Sequence, residues 1–259
     1  LAIENESAAS IASKLQLALI PGNTSAATPS ASPDCGSEEH TLFQMGRFHA
    51  RKRTMEGLER SIQCYERAIA IRPDYALAHA AMADSLSLVT MYGVRYPEET
   101  VPLARKAAER ALAGDTSAQA AANASLALIT GMHDHRWSEA ERLFRNAIRL
   151  EPSYAEAHHW LGTNLLAPLG RFDEALESLA VAQRLDPLNP VIAESRGFVK
   201  LLARRYEEAL VDQRAAMELD PNFHLTNSSI GRVYMLMGRY EEAVHWMLKA
   251  RELSGGSDK

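Results

Sequence analysis

The sequence is poor in residues that form cross-links and contains no segment suited to a membrane. Only two cysteines, Cys35 and Cys64, occur among 259 residues, far apart and without a CxxC pair. Free thiols are typical of a reducing compartment, so we expect a cytoplasmic protein. A periplasmic location is the alternative if the longer protein carries a membrane helix ahead of this segment. No apolar run is long and uninterrupted enough to span a bilayer.

An excess of one charge is also missing. The 28 Lys and Arg residues are dispersed among 33 Asp and Glu residues, for a net charge of −5. A phosphate backbone needs a basic stripe, so we expect no direct nucleic-acid binding. There is no Gly-x-Ser-x-Gly motif, and paired acids such as Glu207-Glu208 are better explained as helix-start charges than as acid/base catalysts. The sequence therefore predicts neither an enzyme nor a cofactor.

One short cluster resembles a set of metal ligands. His133 and His135 flank Asp134, and two imidazoles beside a carboxylate could bind zinc or nickel. No third or fourth ligand lies near in sequence, and the cluster directly precedes a turn. We therefore interpret it as a polar loop tip and predict no metal site.

What the sequence has in abundance is periodicity. In six segments a small residue is followed seven positions later by alanine; these segments begin at Ser61, Ala104, Ala140, Ala175, Ala209 and Ala243. The successive steps are 43, 36, 35, 34 and 34 residues. In four segments a proline follows the alanine after five residues: Pro73, Pro152, Pro187 and Pro221. A period that settles at 34 with a proline stop predicts an array of helix-turn-helix units.

These units resemble tetratricopeptide repeats, which share small residues at positions eight, twenty and twenty-seven and a proline at thirty-two. The resemblance covers roughly residues 41–253 and implies an all-α, right-handed α-solenoid of about six helix-turn-helix repeats. Gly170 and Gly238 precede second helices, where we expect the left-handed helix-ending conformation. Gly162 is expected where two helices approach closely.

The pattern divides the chain into three parts. Residues 1–20 read as an amphipathic helix, interpreted as the edge of a preceding domain, although docking on the array is an alternative. Residues 21–40 are rich in Ser, Thr, Ala and Pro and predict a flexible linker. Residues 41–259 form the array. An extra stretch at 51–54 and a longer insertion at 93–97 are interpreted as softer joints.

A second resemblance concerns a longer protein. Residues 1–19 and 43–86 look like parts of bacterial multidomain signalling proteins and transcription regulators. Those proteins carry a winged-helix, kinase or cyclase domain ahead of a C-terminal repeat array. The resemblance implies that this segment was cut from such a protein, and that the catalytic or DNA-binding domain lies outside it.

The repeat resemblance also implies a concave groove lined by positions two, five, nine and twelve of each first helix. The candidate peptide-binding residues at these positions are Asp84, Asn123, His159, Thr163, Glu194, Phe198, Leu201, Leu225, Ser228, Arg232 and Met235. The polar members would hold a peptide backbone, and the apolar members of units five and six would form an anchor site. Simple packing of the aliphatic side chains on neighbouring helices is an equally open interpretation.

The predicted function is therefore a non-enzymatic scaffold that binds a protein or peptide for a bacterial signalling or transcription regulator. Two alternatives stay open. The last unit ends at Ser254 without a polar capping helix, so its apolar flank could pair with a second copy as a homodimer. A groove closed enough to bury a small molecule would instead indicate a sensing domain.

Overall fold

The computed structural model describes residues 36–254. The predicted helix at 1–20 and residues 21–35 of the predicted linker at 21–40 lie outside the described residues. The first helix begins at Glu38, close to the predicted start of the array near Thr41.

Twelve helices follow one another within the described range and pack as six antiparallel pairs. The first helices of the pairs are α1 (Glu38–Arg51), α3 (Ala76–Met91), α5 (Gln119–Met132), α7 (Ala155–Trp160), α9 (Pro190–Leu202) and α11 (His224–Leu236). The second helices are α2 (Met55–Ile71), α4 (Pro97–Leu112), α6 (Trp137–Leu150), α8 (Phe172–Leu185), α10 (Tyr206–Leu219) and α12 (Tyr240–Leu253). A 3₁₀ turn at Thr116–Ala118 precedes α5. The predicted all-helical repeat array is confirmed.

The helices form two layers. The contacts between α3 and α5, α5 and α7, and α9 and α11 place the first helices side by side. Each second helix packs against its own first helix, and the five from α2 to α10 also pack against the first helix that follows. The first helices therefore share one continuous face, which we call the inner face.

The periodic small residues form the core between the helices. Ala140, Ala175 and Ala209 are fully buried, and so is the alanine seven positions after each. Glycines of the first helices permit equally close approach. A Cβ on Gly162 would lie 2.8 Å from the carbonyl oxygen of Ala175 on α8, which confirms the predicted close contact.

Each repeat turns between its helices through one residue with left-handed backbone. Gly170 and Gly238 have φ of 75° and 78°, as predicted, and Gly93 has 68°. The other three turns use residues with a side chain: Arg53, His135 and Arg204, with φ of 53°, 56° and 60°. This conformation is strained for any residue with a Cβ. The insertion at 51–54 thus ends in a defined turn, because the amide nitrogen of Arg53 donates to the carbonyl of Ala50 at 3.2 Å.

The fourth repeat absorbs an extra residue inside its first helix. From the inner glycine to the first small residue of the second helix, this repeat runs from Gly162 to Ala175, one residue more than from Gly197 to Ala209. The backbone after α7 continues as a π-helical segment, Leu161–Leu166. A π-helical turn accommodates one additional residue without ending the helix. The 35-residue step in the sequence therefore has a local structural cause.

Candidate functional site

An ion pair joins the first repeat to the fourth across the inner face. The guanidinium Nη2 of Arg53, in the turn between α1 and α2, lies 2.8 Å from Oε1 of Glu156 on α7. The Arg53 side chain is only 10% exposed. These residues are 103 positions apart, whereas the helices pack mainly with their neighbours in sequence. The array therefore curls until repeat one faces repeat four, and the inner face is concave.

Asp84 on α3 lies beside this ion pair, with the hydroxyl of Ser125 on α5 as its hydrogen-bond partner. Burial raises the pKa of Asp84 to about 8; the Ser125 hydrogen bond and Arg53 oppose this shift, and the Glu156 charge adds to it. The Ser125 hydroxyl has a single hydrogen and a second acceptor, the Ala121 carbonyl at 2.9 Å. The one hydroxyl hydrogen of Ser125 therefore serves two acceptors, the Asp84 carboxyl group and the Ala121 carbonyl.

Glu156 has the opposite electrostatics. Burial disfavours its charge, but the nearby His159 and the positive charge of Arg53 lower the pKa of Glu156 to about 2. Nδ1 of His159 lies 3.8 Å from Oε1 of Glu156, and Nε2 lies 2.9 Å from the Ser195 hydroxyl of α9. At neutral pH this part of the site therefore holds an ionised carboxylate beside a neutral one.

Tyr92 connects this group to repeat five. It caps the C-terminal end of α3, and burial raises the pKa of its phenol, which the charge of Arg53 lowers and those of Glu194 and Glu156 raise further. Residues from repeats one, two, four and five thus share one electrostatic environment. We call this group the inner cluster: Arg53, Asp84, Tyr92, Glu156, His159 and Glu194.

Glu194 links the inner cluster to repeat six. Its carboxylate accepts a hydrogen bond from the Ser229 hydroxyl of α11, and Nη2 of Arg232 donates to that hydroxyl at 3.0 Å. Burial raises the pKa of Glu194, whereas the hydrogen bond from Ser229 and the positive charge of Arg232 lower it. The Arg232 guanidinium also lies over the Phe198 ring, 5.1 Å from its centroid. These contacts place four predicted residues, His159, Glu194, Phe198 and Arg232, along one side of the concave face.

The other predicted residues differ in how far their side chains are exposed. Thr163 and Ser228 are half-buried, as is Leu225, and Met235 is 43% exposed. Asn123 is engaged within the array, since its amide donates to the Gln119 carbonyl at 2.7 Å and accepts from Asn146 at 3.0 Å. Leu201 is 4% exposed and packs in the core with Leu210 and Ile230. For Leu201 the packing interpretation is the one that fits its burial.

Sequence reasoning missed Arg53, Tyr92 and Ser125. Glu156, at position two of its first helix, was also not among the candidate residues. The signal for Arg53 was present in the basic insertion at 51–54, which we interpreted as a soft joint. Its partner could not be found from the sequence, because the closing of repeat one on repeat four depends on the accumulated curvature of the array.

The His133-Asp134-His135 segment forms a turn built on an ion-paired acid. Asp134 accepts hydrogen bonds from Arg105 and Arg136, each at 2.8 Å to Oδ2. His135 adopts the left-handed conformation and its ring lies 5.4 Å from that of Trp137. Among residues 36–254, no group of three or more His, Cys, Asp or Glu residues is arranged to hold a metal ion. The same part of the chain contains no helix of the length and apolarity that a membrane span requires.

Comparison with known proteins agrees with this architecture. A family model described as tetratricopeptide repeat matches residues 227–255, which form most of repeat six. The monomeric IFIT1 mutant solved with Gppp-AAAA superposes with a TM-score of 0.65 at 16% identity, over 82% of this chain and 50% of that one. The family model identifies residues 227–255 as a tetratricopeptide repeat, and the described helix pairs share the fold of the IFIT1 structure. No curated protein matches its sequence significantly.

Two further solved structures are similar over more of their own length. PilF of Pseudomonas aeruginosa aligns at 20% identity and a TM-score of 0.48, over 85% of this chain and 93% of that one. YrrB, described as a tetratricopeptide repeat protein with an unusual peptide-binding site, aligns at 22% identity and a TM-score of 0.43, over 73% and 91%. At these identities the likeness concerns the fold alone.

Proposed function

We propose that this chain is a non-enzymatic scaffold that binds an extended segment of a partner protein along its concave face. The observation that carries the proposal is a set of polar atoms on that face. Nδ1 of His159, Oγ1 of Thr163 and Nε of Arg232 are buried and have no hydrogen-bond partner within residues 36–254. Buried polar groups are normally satisfied, and a bound peptide backbone offers both donors and acceptors.

The charge of the face supports a protein partner over a nucleic acid. Glu156 is ionised at neutral pH, and Glu194 and Asp84 add two further carboxyl groups. These groups do not form the basic stripe that a phosphate backbone requires. We also propose that the scaffold acts within a bacterial signalling or transcription regulator, a role that rests on the resemblance of residues 1–19 and 43–86 to such proteins.

The proposal is tested with a peptide-display library selected against the chain. Met235→Asp introduces a charge at a half-exposed position on the proposed face, and Val211→Asp introduces the same charge on α10, where Val211 is 60% exposed. We expect Met235→Asp to raise the dissociation constants of the selected peptides about tenfold, a change of about 1.4 kcal/mol in binding free energy. Val211→Asp should leave the affinity unchanged. Equal effects of both substitutions would move the binding site away from the concave face.

A second candidate function, self-association, rests on an exposed apolar side of α12. Tyr240, Val244 and Leu248 lie four residues apart on one side of α12 and are 68%, 56% and 46% exposed. One 34-residue period earlier, Leu210 at the position of Val244 is covered by Ile230 of the next repeat. The side of α12 that a following repeat would cover is thus open among the described residues, and it could receive a first helix from another copy.

A further inference from the structure

We infer that Arg53 occupies a cation-binding site of the concave face, and that this site takes a positively charged arginine side chain of the partner once Arg53 leaves it. The inference rests on the proposed function, because it specifies the chemistry of the segment that the same face binds. It concerns the inner cluster, whereas the proposal above is tested at Met235 in repeat six.

The first argument is the chemistry of the inner cluster without Arg53. Glu156 accepts a hydrogen bond from the Arg53 guanidinium, and Asp84 lies close enough to that guanidinium for an electrostatic interaction. Removing one partner of a buried ion pair leaves an uncompensated charge, which is strongly unfavourable. The ionised Glu156 therefore favours a cation at this position, and the Tyr92 phenol lies near enough to interact electrostatically with both Arg53 and Glu156.

The second argument is that Arg53 satisfies this site incompletely. Its Nη2 makes one hydrogen bond to Glu156, and its Nε is buried without a partner within the described residues. Arg95, by contrast, donates through both Nε and Nη2 to the carboxylate of Glu59. A guanidinium that approached the site from an extended peptide could bind in the two-pronged geometry, which is the stronger one.

The third argument is the origin of Arg53. It comes from a turn, in a left-handed conformation that costs backbone energy. It is not part of the inner face formed by the first helices, but reaches that face from the end of α1. A side chain held in this way can be withdrawn by a change in one turn, without repacking a helix.

The array offers a matched control for removing Arg53. Arg204 occupies the corresponding turn of repeat five with φ of 60°, and its side chain is exposed. Arg53→Gly and Arg204→Gly therefore relieve the same backbone strain and remove the same charge, but only Arg53→Gly opens the inner cluster. The probes are the peptide acetyl-Ala-Gly-Arg-Gly-Ala-amide and the same peptide with citrulline, the neutral isostere, in place of arginine.

Isothermal titration should show that Arg53→Gly binds the arginine peptide about tenfold more tightly than the unmodified chain, because the internal competitor is gone. Arg204→Gly should bind like the unmodified chain. The citrulline peptide should bind Arg53→Gly no more tightly than the unmodified chain. Adding Glu156→Gln to Arg53→Gly should abolish the increase in affinity for the arginine peptide. Methylguanidinium, used as a third probe, separates a small cation from a peptide: tighter binding of methylguanidinium than of the peptide would overturn the assignment of a partner side chain.

An unchanged affinity of Arg53→Gly for the arginine peptide overturns the inference and makes Arg53 a structural tie. If Arg53→Gly does not fold, Arg53→Gln keeps most of the side chain, removes the charge and must show the same gain. If Met235→Asp still weakens the library peptides while Arg53→Gly gains nothing, the inference fails and the proposed function stands. If neither Met235→Asp nor Arg53→Gly changes the affinity for its peptides, both the inference and the proposed function are overturned.

Discussion

At the scale of single residues, the six turns form an internal comparison of backbone strain. Three use glycine and three use residues with a side chain in the same left-handed region. Glycine adopts this conformation without a steric penalty, whereas other residues pay about 1–2 kcal/mol, part of which the lower chain entropy of the unfolded state offsets. The sequence therefore carries strain at Arg53, His135 and Arg204.

We expect Arg204→Gly to raise the free energy of unfolding by about 0.5–1 kcal/mol. Glycine relieves the backbone strain, and the exposed Arg204 side chain contributes little to stability. Gly170→Ala should lower it by about 1 kcal/mol, although a Cβ at Gly170 would meet no atom within 4 Å. Urea denaturation measures both changes. A loss of stability in Arg204→Gly would contradict the strain argument.

Asp84 predicts a pH dependence at the same scale. Its pKa in the folded chain is about 8, above its ordinary value of 3.8, so the folded state keeps a proton that the unfolded chain releases. The free energy of unfolding should therefore fall as pH rises from about 4 to about 8. The neighbouring charges that bear on this titration are Arg53 from the first turn and Glu156 from α7.

Asp84→Asn cannot ionise, so it should remove this loss. We expect its Tm to exceed that of the unmodified chain by about 4–8 °C at pH 8.5, equivalent to about 2 kcal/mol, and to match it near pH 4. Asp74→Asn, at an exposed position, is the control and should not change the pH profile. If the Tm values of all three proteins change with pH in the same way between pH 4 and pH 8.5, Asp84 does not hold a proton in the folded chain.

At the scale of helices, the sequence predicted the pairs and their close contacts well. Small residues at a fixed period identify where helices meet, and this is a local property of each repeat. The extra residue of repeat four was visible as a 35-residue step, but its position within the π-helical segment was not. One additional residue can be accommodated in a turn or within a helix, and the packing of the surrounding side chains determines which of the two occurs.

The close contact at Gly162 gives the prediction at this scale. A Cβ there would lie 2.8 Å from the Ala175 carbonyl oxygen and 3.0 Å from Cγ of Leu179. We expect Gly162→Ala to lower the free energy of unfolding by about 1–3 kcal/mol, because backbone must move to make room. Asn164→Ala, a half-buried position of the same helix, should change it far less. Chemical denaturation of both variants checks the difference.

At the scale of the whole array, the candidate site was predicted only in part. Residues of the first helices that face inward, such as His159 and Glu194, follow from repeat position. Arg53 does not, because its contact depends on the summed rotation of three repeats, and a small change at each step would move it away from Glu156. The alternative of self-association belongs to this scale as well.

Val244→Lys places a charge in the middle of the open side of α12. If copies associate there, the dissociation constant should rise about tenfold or more, because a charge would have to be desolvated in an apolar contact. Val211→Lys, at a similarly exposed valine of α10, should leave association unchanged. Sedimentation equilibrium measures both, and a monomeric unmodified chain at high concentration would remove this alternative.

The contact between Arg53 and Glu156 has a further consequence for the order in which the array opens. Repeat arrays behave nearly as one-dimensional chains, in which each unit depends on its neighbours and the ends fray first. A tie between repeats one and four closes the first four units into a loop, so among the described repeats the fifth and sixth should open more easily than the first four. A partner that displaced Arg53 would release that loop, so binding would make local unfolding of the first four repeats easier while it holds the inner face.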